Sequence, residues 1–183
     1  MKIAKIIALS FPFAILYSCD NQSVRKTEEA DHESLEFSTP IHYESEHYLT
    51  NVKQLTNGGD NAEAYWSFDN SMLVFQSNYA EWGVGCDQIF TTQLGTDNLL
   101  EQSPTMVSTG LGRTTCSYFL PGDTSILYAS THLADSACPP PPSESSGKYV
   151  WPIYPGFDIF IADLEGNITH QLTDHKGYDA EAT

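Results

Sequence analysis

The triplet Gln54-Leu55-Thr56 returns as Gln171-Leu172-Thr173, 117 residues further on when counted from Gln54 to Gln171, and Ala62-Glu63-Ala64 returns as Ala180-Glu181-Ala182, 118 further on. A fainter copy lies between them. Met106-Val107-Ser108 follows the first triplet by 52 residues, counted from Gln54 to Met106, and Phe75-Gln76-Ser77 has its counterpart in Tyr128-Ala129-Ser130 at 53. The stretch SYFLPGDTSILYAST from Ser117 follows YWSFDNSMLVFQSN from Tyr65, with one residue inserted in the turn. A period of this length constrains the fold more than any other feature of the chain. Each copy is a supersecondary unit that keeps its apolar faces dry only by stacking on a neighbour.

Within each copy the segments are short and bounded by turn formers. SMLVFQS and TSILYAS are apolar bursts of strand length, rich in β-branched and aromatic residues. Asp69-Asn70-Ser71 and Pro121-Gly122-Asp123 separate strands, since Pro presets φ and Gly accepts positive φ. A third strand is expected in CDQIFTTQL from Cys86 and again in FDIFIADL from Phe157, and Glu165-Gly166-Asn167 marks a tight hairpin into a fourth. Four strands per unit of roughly 50 residues is the pattern of a β-propeller blade. An immunoglobulin-like sandwich also uses short, evenly spaced strands, but it does not repeat itself.

These residues, QLT…AEAYWSFDNSMLVFQS, then DQIF and DIFIADLEGN, then QLT…DAEAT, resemble TolB-like propellers with WD40-like (PD40) repeats over residues 47–183. Ser67-Phe68-Asp69-Asn70 stands where that family has Ser-Pro-Asp-Gly, and the middle copy has Leu120-Pro121-Gly122-Asp123. The expectation is an all-β propeller fragment: one blade at 47–106, a second at 107–171 with a Pro-rich insert at 132–156, and the first strand of a third at 172–183. Ring closure needs about four to eight blades, so a truncated or interrupted propeller is expected. The resemblance implies a non-enzymatic scaffold that meets protein or peptide partners on one propeller face. The alternative it implies is the gating propeller of a prolyl-oligopeptidase or dipeptidyl-peptidase type serine peptidase whose catalytic domain lies elsewhere. A third reading is a non-functional gene remnant.

The first nineteen residues have the layout of an export signal: Lys2 and Lys5, an apolar run from Ile6 to Tyr17, then Ser18 and Cys19. About a dozen apolar residues suit a signal core and fall short of the roughly 20 that span a bilayer. Leu16-Tyr17-Ser18-Cys19 resembles the lipobox of bacterial lipoproteins, which implies a lipid anchor on Cys19 and attachment to an envelope membrane, facing the periplasm or the cell surface. Ordinary secretion with an incidental cysteine is the alternative. Residues 20–46 are acidic and lack sustained periodicity, so a disordered tether is expected there.

Charge narrows the partners. The chain holds 24 acidic and 8 basic side chains, and loss of Lys2 and Lys5 with the leader leaves 6 against 24, or −18. Phosphate backbones are bound by clustered Lys and Arg, so nucleic acid is excluded as a partner. Of the remaining cysteines, Cys86, Cys116 and Cys138, one pair can form a disulfide in any of three ways, and a bridge pinning the 132–156 insert to a strand is the expected use.

No cofactor is expected, and no metal, because Cys-x-x-Cys and comparable His spacings are absent. His42 and His47 beside Glu44 and Glu46 read as solvated tether. Asp163 to Asn167 opens like a calcium loop, but no Glu closes it, and it reads as a hairpin turn. There is no Gly-x-Ser-x-Gly, His-Glu-x-x-His or phosphate cradle, so no catalytic residue is assigned. The candidate binding face is the loop leading into each first strand, repeated in position: Asp60 and Glu63, Arg113 and Thr114, Asp179 and Glu181. The competing role for these residues is to cross-link neighbouring blades.

Overall fold

The structure is a computed structural model of the chain and describes residues 43–95, 100, 102–140 and 152–183. The signal segment with Cys19, residues 20–42 of the tether with His42, and residues 141–151 of the insert lie outside the described residues. Among the described residues no helix is long and apolar enough to cross a membrane.

Two antiparallel meanders make up the fold. The first runs β1 (Asn61–Trp66), β2 (Met72–Ser77), β3 (Gln88–Gln93) and β4 (Thr105–Met106), paired in that order. The second runs β5 (Thr114–Phe119), β6 (Ser125–Ser130), β7 (Gly156–Asp163) and β8 (Ile168–Gln171), again in order. A ninth strand, β9 (Gly177–Tyr178), pairs in parallel with the start of β7. The chain is thus all-β: two four-stranded propeller blades and the first strand of a third.

Equivalent positions hold down to single backbone bonds. Val107 N–H donates to Ile89 O and Leu172 N–H to Ile159 O, so the Leu of the repeated Gln-Leu-Thr continues the outer ladder of the blade before it. The amides of Ile89 and Ile159 donate to the hydroxyls of Ser108 and Thr173. Each β1-type strand carries a bulge, between Ala62 and Tyr65 and between Thr115 and Ser117. The extra residue takes a left-handed φ, 52° at Glu63 and 44° at Cys116, and the equivalent residue of the third copy, Glu181, has φ 61°.

One expectation is corrected. The 1–2 turns of the two blades are equally long: Ser67 N–H donates to Met72 O and Leu120 N–H to Ser125 O, while Asn70 and Asp123 both adopt positive φ. The shift is 53 through the whole hairpin, with no inserted residue. The extra residue sits in the linker, where Ser108 to Thr114 takes one step more than Thr56 to Asn61.

The core lies between the blades. Blade 1 contributes Val74, Ile89 and Val107 and blade 2 contributes Phe119, Ile126, Tyr128, Phe160 and Ala162, all essentially without solvent contact, with the partly buried Tyr65 and Met72 packed beside them. Alternation along β2 sends Val74 to this interface and Leu73 and Phe75 to the opposite side. There a smaller cluster forms from Phe75, Phe90 and Val84, with Trp82 from the 3₁₀ turn Ala80–Trp82 tilted against Phe90 at 5.1 Å. Each fully buried side chain of this kind adds about 1.5–3 kcal/mol.

Tyr128 Oη and Ser117 Oγ are buried without a hydrogen bond among the described residues, whereas a glutamine inside the interface is matched. Gln88, fully buried, donates to Gly112 O and accepts from Ser108 Oγ and Gly110 N–H, which fixes the linker between blades. Gly112 has φ 61°, and a Cβ there would lie 2.6 Å from Thr131 Oγ1 and 2.8 Å from His132 N. No side chain fits at that position.

Candidate functional site

The six candidate residues fall into two groups at the start of the innermost strands. Asp60, Arg113, Thr114 and Asp179 are engaged within the fold. Asp60 and Asn78 exchange three bonds: Asp60 N–H to Asn78 Oδ1, Asn78 N–H to Asp60 O, and Asn78 Nδ2 to Asp60 Oδ2. Arg113 N–H donates to Thr131 Oγ1 and its Nε lies 3.3 Å from Asp87 Oδ2. Thr114, buried, gives both its N–H and its hydroxyl to Asp87 O. Asp179 N–H donates to Phe157 O, the equivalent bond one blade on. Asp179 Oδ2 is buried and makes no hydrogen bond. His175 Nδ1, 3.5 Å away, pairs with it only when the ring is protonated.

Cys86 and Cys138 form a disulfide and Cys116 is a free thiol. The bridge ties the segment before β3 in blade 1 to the insert of blade 2, so of the three pairings the fold uses one that crosses between blades. Arg113 covers it, with Nε 3.4 Å from Cys86 Sγ and a terminal nitrogen 3.9 Å from Cys138 Sγ. Burial pushes the Asp87 carboxyl above its ordinary value, the Arg113 guanidinium opposes that, and the Asp60 carboxylate adds to it.

Glu63 and Glu181 behave differently. Both are exposed, both have a left-handed φ at equivalent places in the repeat, and their carboxylates act on the same group, the half-buried thiol of Cys116 on the bulge between them in the repeat. Burial raises the thiol pKa most, the Thr115 hydroxyl lowers it, and the two carboxylates raise it further. The environment keeps Cys116 protonated, the reverse of what activates a nucleophilic cysteine. Tyr65 closes one side, its hydroxyl donating to Glu63 Oε2 at 3.3 Å, and its ring packs edge-on against Tyr118 at 5.3 Å. Cys116 N–H and Thr115 Oγ1 both donate to Gln76 Oε1 of blade 1, so the bulge is anchored from the neighbouring blade.

Comparison of the chain with family models, curated proteins and solved structures gives no match. The site therefore rests on its own geometry. Among the described residues no three His, Cys, Asp or Glu side chains stand close enough to hold a metal ion. Glu46 accepts from Tyr48 N–H and Leu49 N–H, and Asp163 accepts from Glu165 N–H and Asn167 N–H, so both serve as turn acceptors.

Sequence reasoning placed Cys116 among the disulfide candidates and missed it as the residue between Glu63 and Glu181. Its neighbours spell Thr-Cys-Ser where the outer copies spell Ala-Glu-Ala. Carrying the 53-residue shift of Phe75 and Tyr128 back to Glu63 would have found it. Asp87 and Gln76 gave no signal, because their role is to satisfy groups of the next blade.

Proposed function

We propose that the chain is a non-enzymatic binding or scaffold module, a TolB-like propeller lipoprotein of the bacterial envelope, that takes a cationic group of a protein or peptide partner at Glu63 and Glu181. The observation that carries this reading is the pair of exposed carboxylates at equivalent left-handed positions of the repeat, both acting on the thiol of Cys116 and, among the described residues, neither engaged by a salt bridge. A net charge of −16 favours a basic partner and speeds its approach. The lipobox resemblance supports membrane attachment through Cys19, and the repeat supports TolB-like kinship.

The test is titration of the chain with a lysine-rich peptide at low and high salt. Binding that weakens with salt and drops several-fold in Glu63→Gln and Glu181→Gln supports the reading, and equal binding by both variants overturns it. Radiolabelled palmitate incorporated by the wild type and not by Cys19→Ser tests the anchor.

A further inference from the structure

The two halves of the bridge between the blades differ in their surroundings. Cys86 is 6% exposed, in the segment before β3, whereas Cys138 is exposed on the insert of blade 2. Arg113 spans both sulfurs and lies closer to the buried one. Its Nε donates to Cys86 Sγ at 3.4 Å and its Nη2 to Cys138 Sγ at 3.9 Å. Nε and Nη2 are the side of a guanidinium that grips a carboxylate with two parallel N–H groups. Here that side is turned to the bridge, while Asp87 Oδ2 stands 3.3 Å from Nε. A disulfide sulfur is a neutral, weak acceptor, so the charged donors gain little from it. A thiolate in the same place gains much more, because charge-assisted hydrogen bonds are roughly twice as strong as neutral ones and a neighbouring Arg lowers a thiol pKa.

We propose that the Cys86–Cys138 bridge is a thiol–disulfide exchange site for a dithiol reductant, with Cys138 as the attacked sulfur and Cys86 as the leaving thiolate held by Arg113. In the first step a thiolate of the reductant bonds to Cys138 Sγ, the Sγ–Sγ bond breaks, and its electron pair stays on Cys86 Sγ. In the second, the other thiolate of the reductant attacks its own sulfur in the mixed disulfide and expels the Cys138 thiolate, which takes a proton from water. The reductant departs as a disulfide and the cystine has gained two electrons. Exchange is faster at the accessible sulfur and when the leaving thiol has the lower pKa, and the two conditions fall on opposite halves of this bridge. The Asp87 carboxylate, on the same guanidinium, opposes the thiolate charge, so Arg113 and Asp87 act on reduction in opposite senses.

Reduction frees the insert from blade 1 and leaves the blades stacked. The insert is still held by Gly112 N–H on Ser136 O, by the turn in which Ala134 N–H and Asp135 N–H donate to Thr131 O, and by Ala134 packed against Gly156. The core between the blades and the Gln88 network include neither bridge sulfur.

The experiment equilibrates the whole chain with dithiothreitol redox buffers and follows the bridge by peptide mapping of alkylated cysteines. Arg113→Gln should shift the equilibrium toward the disulfide by about tenfold, a potential ~30 mV lower, and slow reduction; Asp87→Asn should move both the other way. A guanidinium that merely shields the bridge gives the reverse, with faster reduction in Arg113→Gln, and that result overturns the proposal. Unchanged midpoints in both variants overturn it as well. Circular dichroism of the oxidised forms checks the folding of each variant, and if Arg113→Gln does not fold, an Asp87→Asn chain no easier to reduce than wild type is sufficient to overturn it. A brief pulse of glutathione on wild type should place the mixed disulfide on Cys138; a glutathione adduct on Cys86 overturns the assignment of attacked and leaving sulfurs.

Discussion

At the scale of single residues, the site is divided between groups that hold the fold and groups that face water, and the division follows hydrogen-bond demand. Arg113 looked like a ligand-binding cation in the sequence. In the fold its guanidinium is engaged by Asp87 beside the disulfide. This has a pH consequence. The Asp87 carboxyl is raised above its ordinary value by burial, so the folded chain binds that proton more tightly than the unfolded chain does. Stability therefore falls as pH rises from the ordinary carboxylate value through the raised one, and no loss arises below that interval. Removing the opposing cation in Arg113→Gln lifts the Asp87 value further. The fall should then be steeper and reach a higher pH than in wild type, as measured by urea midpoints from acid to neutral pH. Parallel pH profiles for the two proteins would show that the guanidinium does not act on Asp87.

Among the elements, the 1–2 turns show how far a sequence can be read. The strands were legible because SMLVFQS and TSILYAS are apolar bursts between turn formers, and β2 and β6 occupy these stretches. The turn register was not, because Ser67-Phe68-Asp69-Asn70 and Leu120-Pro121-Gly122-Asp123 share few letters, and a false insertion made Ser117 match Tyr65. The structural constraint is instead a left-handed residue at the same place in each turn, Asn70 and Asp123, which both side chains tolerate, and in the second turn Gly122 before it is at positive φ as well. The bulges at Glu63 and Cys116 and the left-handed Glu181 were hidden for the same reason, since glutamate and cysteine give no hint of positive φ. Asp123 adds a link no pattern predicts: its carboxylate accepts from Phe68 N–H at 2.8 Å and Asp69 N–H at 3.0 Å, capping the turn of the preceding blade. Asp123→Ala should lose about 1–2 kcal/mol, through two charge-assisted bonds and a residue suited to positive φ. Asp123→Asn, which keeps an acceptor and the backbone preference, should recover most of it. Chemical denaturation of the two variants is the check.

For the whole molecule, the two blades are held by an apolar core, a buried glutamine network and one covalent bridge. Cys86 and Cys138 are 52 residues apart in the chain. Closing a loop of that size lowers the entropy of the unfolded state by an amount worth about 4 kcal/mol at room temperature. Changing both cysteines to serine should lower the unfolding free energy by roughly this much or somewhat less, read as a shift in denaturant midpoint under non-reducing conditions. Wild type treated with reductant should match the double variant. Each blade also keeps one outward face that its partner does not cover. Trp66 on the first is 48% exposed and Leu172 on the second 53%, whereas Phe119 and Val107 at the matching interior positions are fully buried.

The cap made by Asp123 gives the stack a direction. Its two acceptor oxygens take the amides of Phe68 and Asp69, and 53 residues later the same places are held by Pro121 and Gly122. Proline has no amide hydrogen, so a third unit bringing an aspartate to that corner would find one donor where the second unit finds two. Transposing the two units in a rearranged gene would move this one-donor corner to the junction between them, so the succession of units along the chain is not interchangeable.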